Sequence, residues 1–448
     1  MKRLVALLLV MTMALALCAC GQETEAEPTK ASAAVSQEPA SPAAEASWKK
    51  DYNGETIRVA MWGDNTRKDL FEGYFEAFEQ EYNCNVEVEV YASSEYATKV
   101  LTETAGGNGP DVVWLTERYY PMFAEAGYLA DMNALMTDEE YNFSDYSTSL
   151  VNNYIKDGNL TAIPFTANPL AFFYNSTLFK EAGLETPLEL YNKGEWTIDR
   201  MLECAAALTN KSTGTYGLSL VQTMDPTNWP VLLDFFWAMG ADMFDADTTK
   251  CTINNEAGVA ALQKFYDLMF TEKSCVVPGE MISFESGQLA MYPGNPSEGA
   301  NYQNVDFEWD YITVPATADG ELINVVGVAL YGVMNTSKNV EAAVDAVKYI
   351  TNEKMQSTMA GTFTPTRESL KNSEGFLNQT ASMPSPDGRK ILYLDVFAAN
   401  TRVYPATTNW NEVNEIGKQI FDKLYTGNAA PADIAAEFES SFNTLLAK

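Results

Sequence analysis

Trp62-Gly63-Asp64-Asn65, Glu117 with Tyr119, Asn228-Trp229, Asn295, and Tyr404 with Trp410 set flat rings beside short planar donors and acceptors. Such sets offer flat apolar faces and in-plane hydrogen-bonding groups, the chemistry of gripping a small polar ligand rather than of cleaving a bond. Catalysis has little to work with. The chain contains no histidine, which removes Ser-His-Asp and Cys-His nucleophiles, HExxH zinc sites and imidazole proton shuttles. A paired-carboxylate glycosidase survives that filter, yet no spacing singles out one pair among 61 Asp and Glu residues. The expectation is a non-enzyme without cofactor or metal.

At 448 residues the chain exceeds what one hydrophobic core organises, so two domains are expected. With 29 Lys and Arg against those 61 acids, the net charge is −32. Each phosphate contact would work against that field, so nucleic acid is excluded as a partner, while neutral and cationic small ligands fit.

Met1-Lys2-Arg3 precedes an apolar run over residues 4–17, too short to span a membrane as a mature helix. The run ends in Leu17-Cys18-Ala19-Cys20-Gly21. Leu-x-Ala-Cys resembles the bacterial lipobox, which makes Cys20 the acylated residue and residues 1–20 a lipoprotein signal peptide. Two acyl chains at ~0.8 kcal/mol per buried CH₂ anchor stably. Residues 21–50, rich in Glu, Ala, Ser, Thr and Pro, cannot form a core and read as a disordered tether reaching about 30 Å. Cys84, Cys204, Cys251 and Cys275 remain, with no zinc spacing. A Cys251–Cys275 disulfide and buried thiols both fit.

The positioning elements follow from hydrophobic period. Residues 56–62 read as a strand, Asp64 as a helix cap, and Leu70, Phe71, Tyr74, Phe75, Phe78 and Tyr82 as one helical face. Val86, Val88 and Val90 alternate with glutamates as a half-buried strand, and Gly109-Pro110 leads into the strand 111–115. This alternation predicts a largely parallel sheet flanked by helices, with ligands beyond the carboxyl ends of its strands. Two short apolar runs, 160–165 and 170–174, meet at Thr166-Ala167-Asn168-Pro169 and read as the crossing between two lobes. Beyond it come a helix 197–208, a strand 216–220, an aromatic helix 229–239, a helix 256–270, a strand 288–292 breaking at Pro293, strands 309–314 and 325–334, and further helices. Trp237 reads as core and Arg367 as structural.

The order of these motifs resembles the family 1 extracellular solute-binding proteins of ABC importers, the group that includes maltose-binding protein. The carriers are Ile57-Arg58-Val59-Ala60-Met61-Trp62, Gly109-Pro110-Asp111-Val112-Val113-Trp114, Ile163-Pro164-Phe165 with Ala171-Phe172-Phe173-Tyr174-Asn175, Trp196-Thr197, Gly287-Gln288-Leu289-Ala290-Met291-Tyr292 and Trp410. The set is colinear over nearly all of the folded chain. It departs from the maltose-type pattern at Pro293-Gly294-Asn295-Pro296, where that binder has tryptophans.

The resemblance implies an α/β, two-lobe periplasmic-binding-protein-like fold with discontinuous domains, a mainly parallel sheet with flanking helices in each lobe, and hinge strands between. Residues 51–165 and 315–370 would form lobe 1, and 166–314 and 371–448 lobe 2. It also implies a monomeric, lipid-anchored receptor on the extracellular face of a Gram-positive-type membrane, delivering a carbohydrate to ABC permease subunits. A polyamine is the alternative solute and a surface glycosidase the alternative class. Asn168 matches a polar ligand-contacting position of the family, and the family pattern supports Trp410 as a stacking platform. With Trp62, Asp64, Asn65, Glu117, Tyr119, Asn228, Trp229, Asn295 and Tyr404 they complete the expected site.

Overall fold

β1 (Glu55–Trp62), β2 (Cys84–Tyr91) and β3 (Val112–Thr116) pair in parallel, with β1 central. The computed structural model describes residues 48–93, 95–221, 227–378 and 383–447; the lipobox and the tether up to residue 47 lie outside them. Between β1 and β2 the helix Asn65–Tyr82 turns Phe71, Phe75 and Phe78 onto the sheet, where they bury against Val59 and Met61. The helix Tyr96–Ala105 covers the other face, packing Tyr96 and Val100 with Ala60, Val113 and Leu115. That is the β-α-β arrangement the period-2 and helical-period stretches require.

β4 (Ile155–Lys156) and β5 (Asn159–Leu160) form a small hairpin. β6 (Ile163–Pro169) and β7 (Ala171–Asn175) then meet at Leu170 and go to different sheets. β7 sits between β8 (Met291–Gly294) and β9 (Trp309–Thr313), antiparallel to both. β6 runs antiparallel to β10 (Ile323–Val333), which also pairs antiparallel with β3 and, at its start, parallel with β11 (Asn400–Val403). The larger sheet is therefore mixed, because β10 runs against β3, and the β8-β7-β9 sheet is wholly antiparallel; neither is mainly parallel.

β10 is the element both lobes share. Ile323 and Val325 belong to the core of the second lobe, whereas Ala329, Tyr331 and Val333, on the same face, belong to that of the first. Val326, Val328 and Leu330 point the other way into a third cluster that also holds Phe173 and Tyr311. Gly327 falls between the two halves of the first face and carries no side chain.

The second lobe packs the helices Ile198–Leu208, Glu256–Phe270, Trp410–Tyr425 and Pro431–Leu446 around one aromatic core. The helix read at 229–239 is a 3-10 turn, Trp229–Leu232, running into the helix Leu233–Ala238, since Pro230 occupies the first turn. The strand read at 216–220 makes only isolated bridges, Tyr216 to Leu289 and Leu218 to Cys275, and the break placed at Pro293 comes after Gly294. All four cysteines are buried free thiols, so Cys251 and Cys275 are unbridged. Arg367 is 1% exposed; it donates to the carbonyls of Thr351, Asn142 and Tyr141 and lies between the rings of Tyr141 and Tyr146.

Candidate functional site

A cleft of about 880 Å³ opens beyond the carboxyl ends of β1 and β3 and over the middle of β10. Trp62, the last residue of β1, forms its apolar wall. Its half-buried ring is braced by Tyr96, Trp114 and Tyr119 at centroid distances of 5.5, 4.8 and 6.4 Å. Trp114 lies behind, buried, with Phe363 against it at 5.8 Å. A platform held by other rings presents a fixed face to a ligand at little entropic cost.

The turn after β1 supplies polar groups. Asp64 is exposed and caps the following helix, accepting the Arg67 N–H at 3.1 Å. Arg67 folds back, donates to the Trp62 carbonyl at 2.9 Å and lays its guanidinium 5.1 Å over the Trp114 ring. Gly63 makes this approach feasible: a Cβ there would lie 2.8 Å from the Arg67 Cδ.

β3 ends in the second polar group. Glu117 is 4% exposed, and its Oε2 accepts the Val328 N–H at 2.8 Å. Arg118 Nε lies 3.1 Å from the other carboxylate oxygen, an ion pair without hydrogen-bond alignment. Burial pushes the Glu117 carboxyl above its usual range; the Arg118 charge and the Val328 N–H oppose that shift. Arg118 also covers the ring of Tyr404 at 4.9 Å, and Tyr404 stands 3.7 Å from where a Gly327 Cβ would be.

Asn168 sits opposite Gly327 in the β6–β10 register, accepting the Thr364 hydroxyl at 2.6 Å. Asn295 lines the same cleft, exposed at the start of the 3-10 turn Pro296–Tyr302, where its Oδ1 accepts the Ser297 N–H at 3.1 Å. Past Asn168 the cleft continues into a second compartment of about 270 Å³, walled by Tyr311, Phe376, Arg389 and Tyr393. Asn168, Ser297, Thr362 and Phe363 line both compartments, so the whole is one elongated groove.

The structure thus brings Trp62, Asp64, Glu117, Asn168 and Asn295 to one cleft. Tyr119 supports Trp62 from behind, Tyr404 reaches the margin through Arg118, and Asn65, the exposed first residue of its helix, does not line the cleft. Trp229 and Trp410 correct the sequence reading. They lie 6.0 Å apart at 0% and 3% exposure in the second lobe's core, and the Trp229 indole N–H donates to the Asn414 carbonyl at 3.3 Å. Gly417 makes room for that indole: a Cβ there would lie 2.5 Å from Trp229 Nε1. Asn228 is half-buried at the start of the Trp229 turn and lines neither compartment. Sequence reasoning missed Arg67, Leu70, Arg118, Phe363 and the Arg389 compartment. Arg67 and Leu70 sit on an amphipathic helix, where an arginine reads as solvated surface, and nothing local marks Phe363 as facing a ligand.

Residues 62–357 match the sequence profile of the family described as bacterial extracellular solute-binding protein. The galactooligosaccharide-binding protein of Bacillus subtilis is 22% identical over 397 residues, covering 84% of this chain and 85% of its own. The diacetylchitobiose binding protein DasA of Streptomyces coelicolor is 24% identical over 420 residues, with 89% and 91% covered. Among solved structures, the ABC substrate-binding protein Lmo0181 of Listeria monocytogenes, in complex with cycloalternan, superposes with a TM-score of 0.75 at 21% identity, over 88% of this chain and 100% of that one. Maltose-bound MalE3 of T. maritima gives 0.72 at 20% identity, with the same coverage.

Proposed function

The chain belongs to the bacterial extracellular solute-binding protein family, and on that premise we propose that it captures a sugar or oligosaccharide in the groove and delivers it to the permease of an ABC importer. It is a binding protein, not an enzyme, as its relatives are substrate-binding proteins. One observation carries the carbohydrate reading: a tryptophan braced by three rings stands beside planar polar groups from both lobes, Asp64 and Glu117 on one side and Asn168 and Asn295 on the other. A sugar needs both surfaces at once.

The lobes in this proposal are 51–165 with 315–370 and 166–314 with 371–448, hinged where β6 meets β7 and along β10. Closure about these strands enfolds the solute. The protein is held at the outer face of the membrane through acylated Cys20 and the tether, and works as a monomer. Among the described residues no helix is long and apolar enough to cross a membrane. Replacing Cys20 by serine should abolish palmitate labelling and release the protein from the membrane fraction; label retained on the variant would rule out that anchor.

A polyamine is the second reading, favoured by the −32 charge and opposed by Arg67 and Arg118 in the cleft. A thermal-shift screen against saccharides, polyamines and amino acids decides between them. A cognate ligand at a hundredfold excess over Kd stabilises the fold by ~2.7 kcal/mol. A response confined to polyamines or amino acids would end the carbohydrate reading.

A further inference from the structure

Arg58, Arg118, Arg200, Arg367 and Arg402 each have a carboxylate oxygen at 2.7 to 3.6 Å. Arg67 and Arg389, the remaining described arginines, have none within ion-pair distance among the described residues. In a chain with 61 acids and 29 basic residues, partners are abundant, yet these two arginines lack one, and both line the groove.

Arg389 is the more telling. It is 7% exposed and lies over the rings of Phe376 and Tyr393 at 4.8 and 5.5 Å. One guanidinium N–H donates to the Phe376 carbonyl at 2.8 Å, while the buried Nε has no hydrogen-bond partner. Arg67, half-buried on Trp114, makes one side-chain hydrogen bond among the described residues, to the Trp62 carbonyl. A guanidinium offers five donors in a planar fork that matches carboxylate, sulfate and phosphate oxygens. A buried cation without an ion-paired counter-charge is costly to keep, and a ligand that supplies the charge removes the cost; Arg67 feels only the Asp64 carboxylate beyond ion-pair distance. The nearby acids are engaged elsewhere: Glu117 with Val328 and Arg118, Asp64 with the helix start, while Asp69 stands exposed at the rim. At long range the −32 charge repels an anion, so contact donors have to supply the attraction.

We infer that the groove takes an acidic saccharide, a sugar chain bearing carboxylate or ester sulfate or phosphate groups, with Arg67 and Arg389 receiving its anions. This rests on the solute-binding reading above and narrows its ligand class. Calorimetric titration of the purified protein tests it with oligogalacturonates, the same oligomers after carboxyl reduction, a sulfated chondroitin disaccharide and glucose 6-phosphate. An acidic saccharide should bind at least about tenfold tighter than its neutral counterpart, a difference of ~1.4 kcal/mol. The reduction arm reports uronate recognition; the other two report sulfate and phosphate. Arg389→Met and Arg67→Met should each collapse the acidic-over-neutral preference. Arg389→Lys, which keeps the charge without the fork, should retain part of it and covers the case in which Arg389→Met does not fold. If neutral saccharides bind and acidic ones bind no better, the inference fails and the carbohydrate reading stands. If only polyamines or amino acids bind, both fail.

Discussion

The Asp234 carboxyl accepts the backbone N–H of Val325 at 2.9 Å, tying the helix Leu233–Ala238 to the strand shared by both lobes. The carboxyl is buried, its Oδ2 has no hydrogen-bond partner, and burial pushes its pKa well above the usual range against the Val325 N–H and the Arg402 charge. An acid held neutral in the fold but ionised in the unfolded chain stabilises fully below the unfolded pKa, about 4, and loses that contribution as pH rises toward its folded value. Asp234→Asn cannot ionise and keeps the carbonyl acceptor. Thermal melts should show it more stable than the parent at pH 7.5, with the gap closing toward pH 4. A deficit of equal size at both pH values would mean that the charge is not what matters there.

Gly327 is where the groove crosses β10. A Cβ there meets Tyr404 at 3.7 Å and Asn168 O at 3.8 Å, ordinary contact distances, so Gly327→Val should fold with a change within about 1 kcal/mol. The added side chain would occupy the floor opposite Asn168. Binding of the cognate ligand should fall more than about tenfold by calorimetry, ~1.4 kcal/mol; undiminished affinity would remove Gly327 from the floor.

Trp62→Ala removes the stacking wall. We expect affinity to drop by about 10- to 100-fold, roughly 1.4–2.7 kcal/mol, as for a central aromatic anchor. Trp62 fluorescence should also respond to ligand, so the titration can be read optically in the parent.

Trp410 and Gly417 test the opposite assignment. Trp410→Ala deletes a fully packed indole and should cost about 3–5 kcal/mol in denaturant melts. Gly417→Ala places a methyl against Trp229 and should cost about 1–3 kcal/mol. Ligand affinity measured well below either melting transition should stay near the parent's, since neither residue lines the groove. A selective loss of affinity in Trp410→Ala would return that ring to the binding site.

What was legible in the chain was local. Asp64 announces its helix through a side-chain cap, and it caps as read. The joint read at Thr166–Pro169 is instead the end of β6, whose ladder with β10 continues through Pro169, and the chain passes to the second sheet at Leu170. What stayed hidden was orientation. Trp410 and Trp62 both stand at element ends in the sequence, and only Gly417, seven residues downstream on the same helix, shows that the first faces Trp229. The partnering of an arginine is likewise a three-dimensional property. Arg389 and Arg402 look alike on paper, yet Asp242 reaches only the second.

Among the described residues the chain carries four thiols, Cys84, Cys204, Cys251 and Cys275, and no crosslink joins them. Cys84, Cys251 and Cys275 are pushed up to about 12 and Cys204 is raised as well, all by burial; the nucleophilic thiolate is scarce at every native position. Among the described residues, reagents that target sulfur therefore find no exposed thiol to attack. A dye pair placed on two engineered cysteines, one per proposed lobe, would meet no competing surface thiol among the described residues and would test, one particle at a time, whether the molecule opens and shuts.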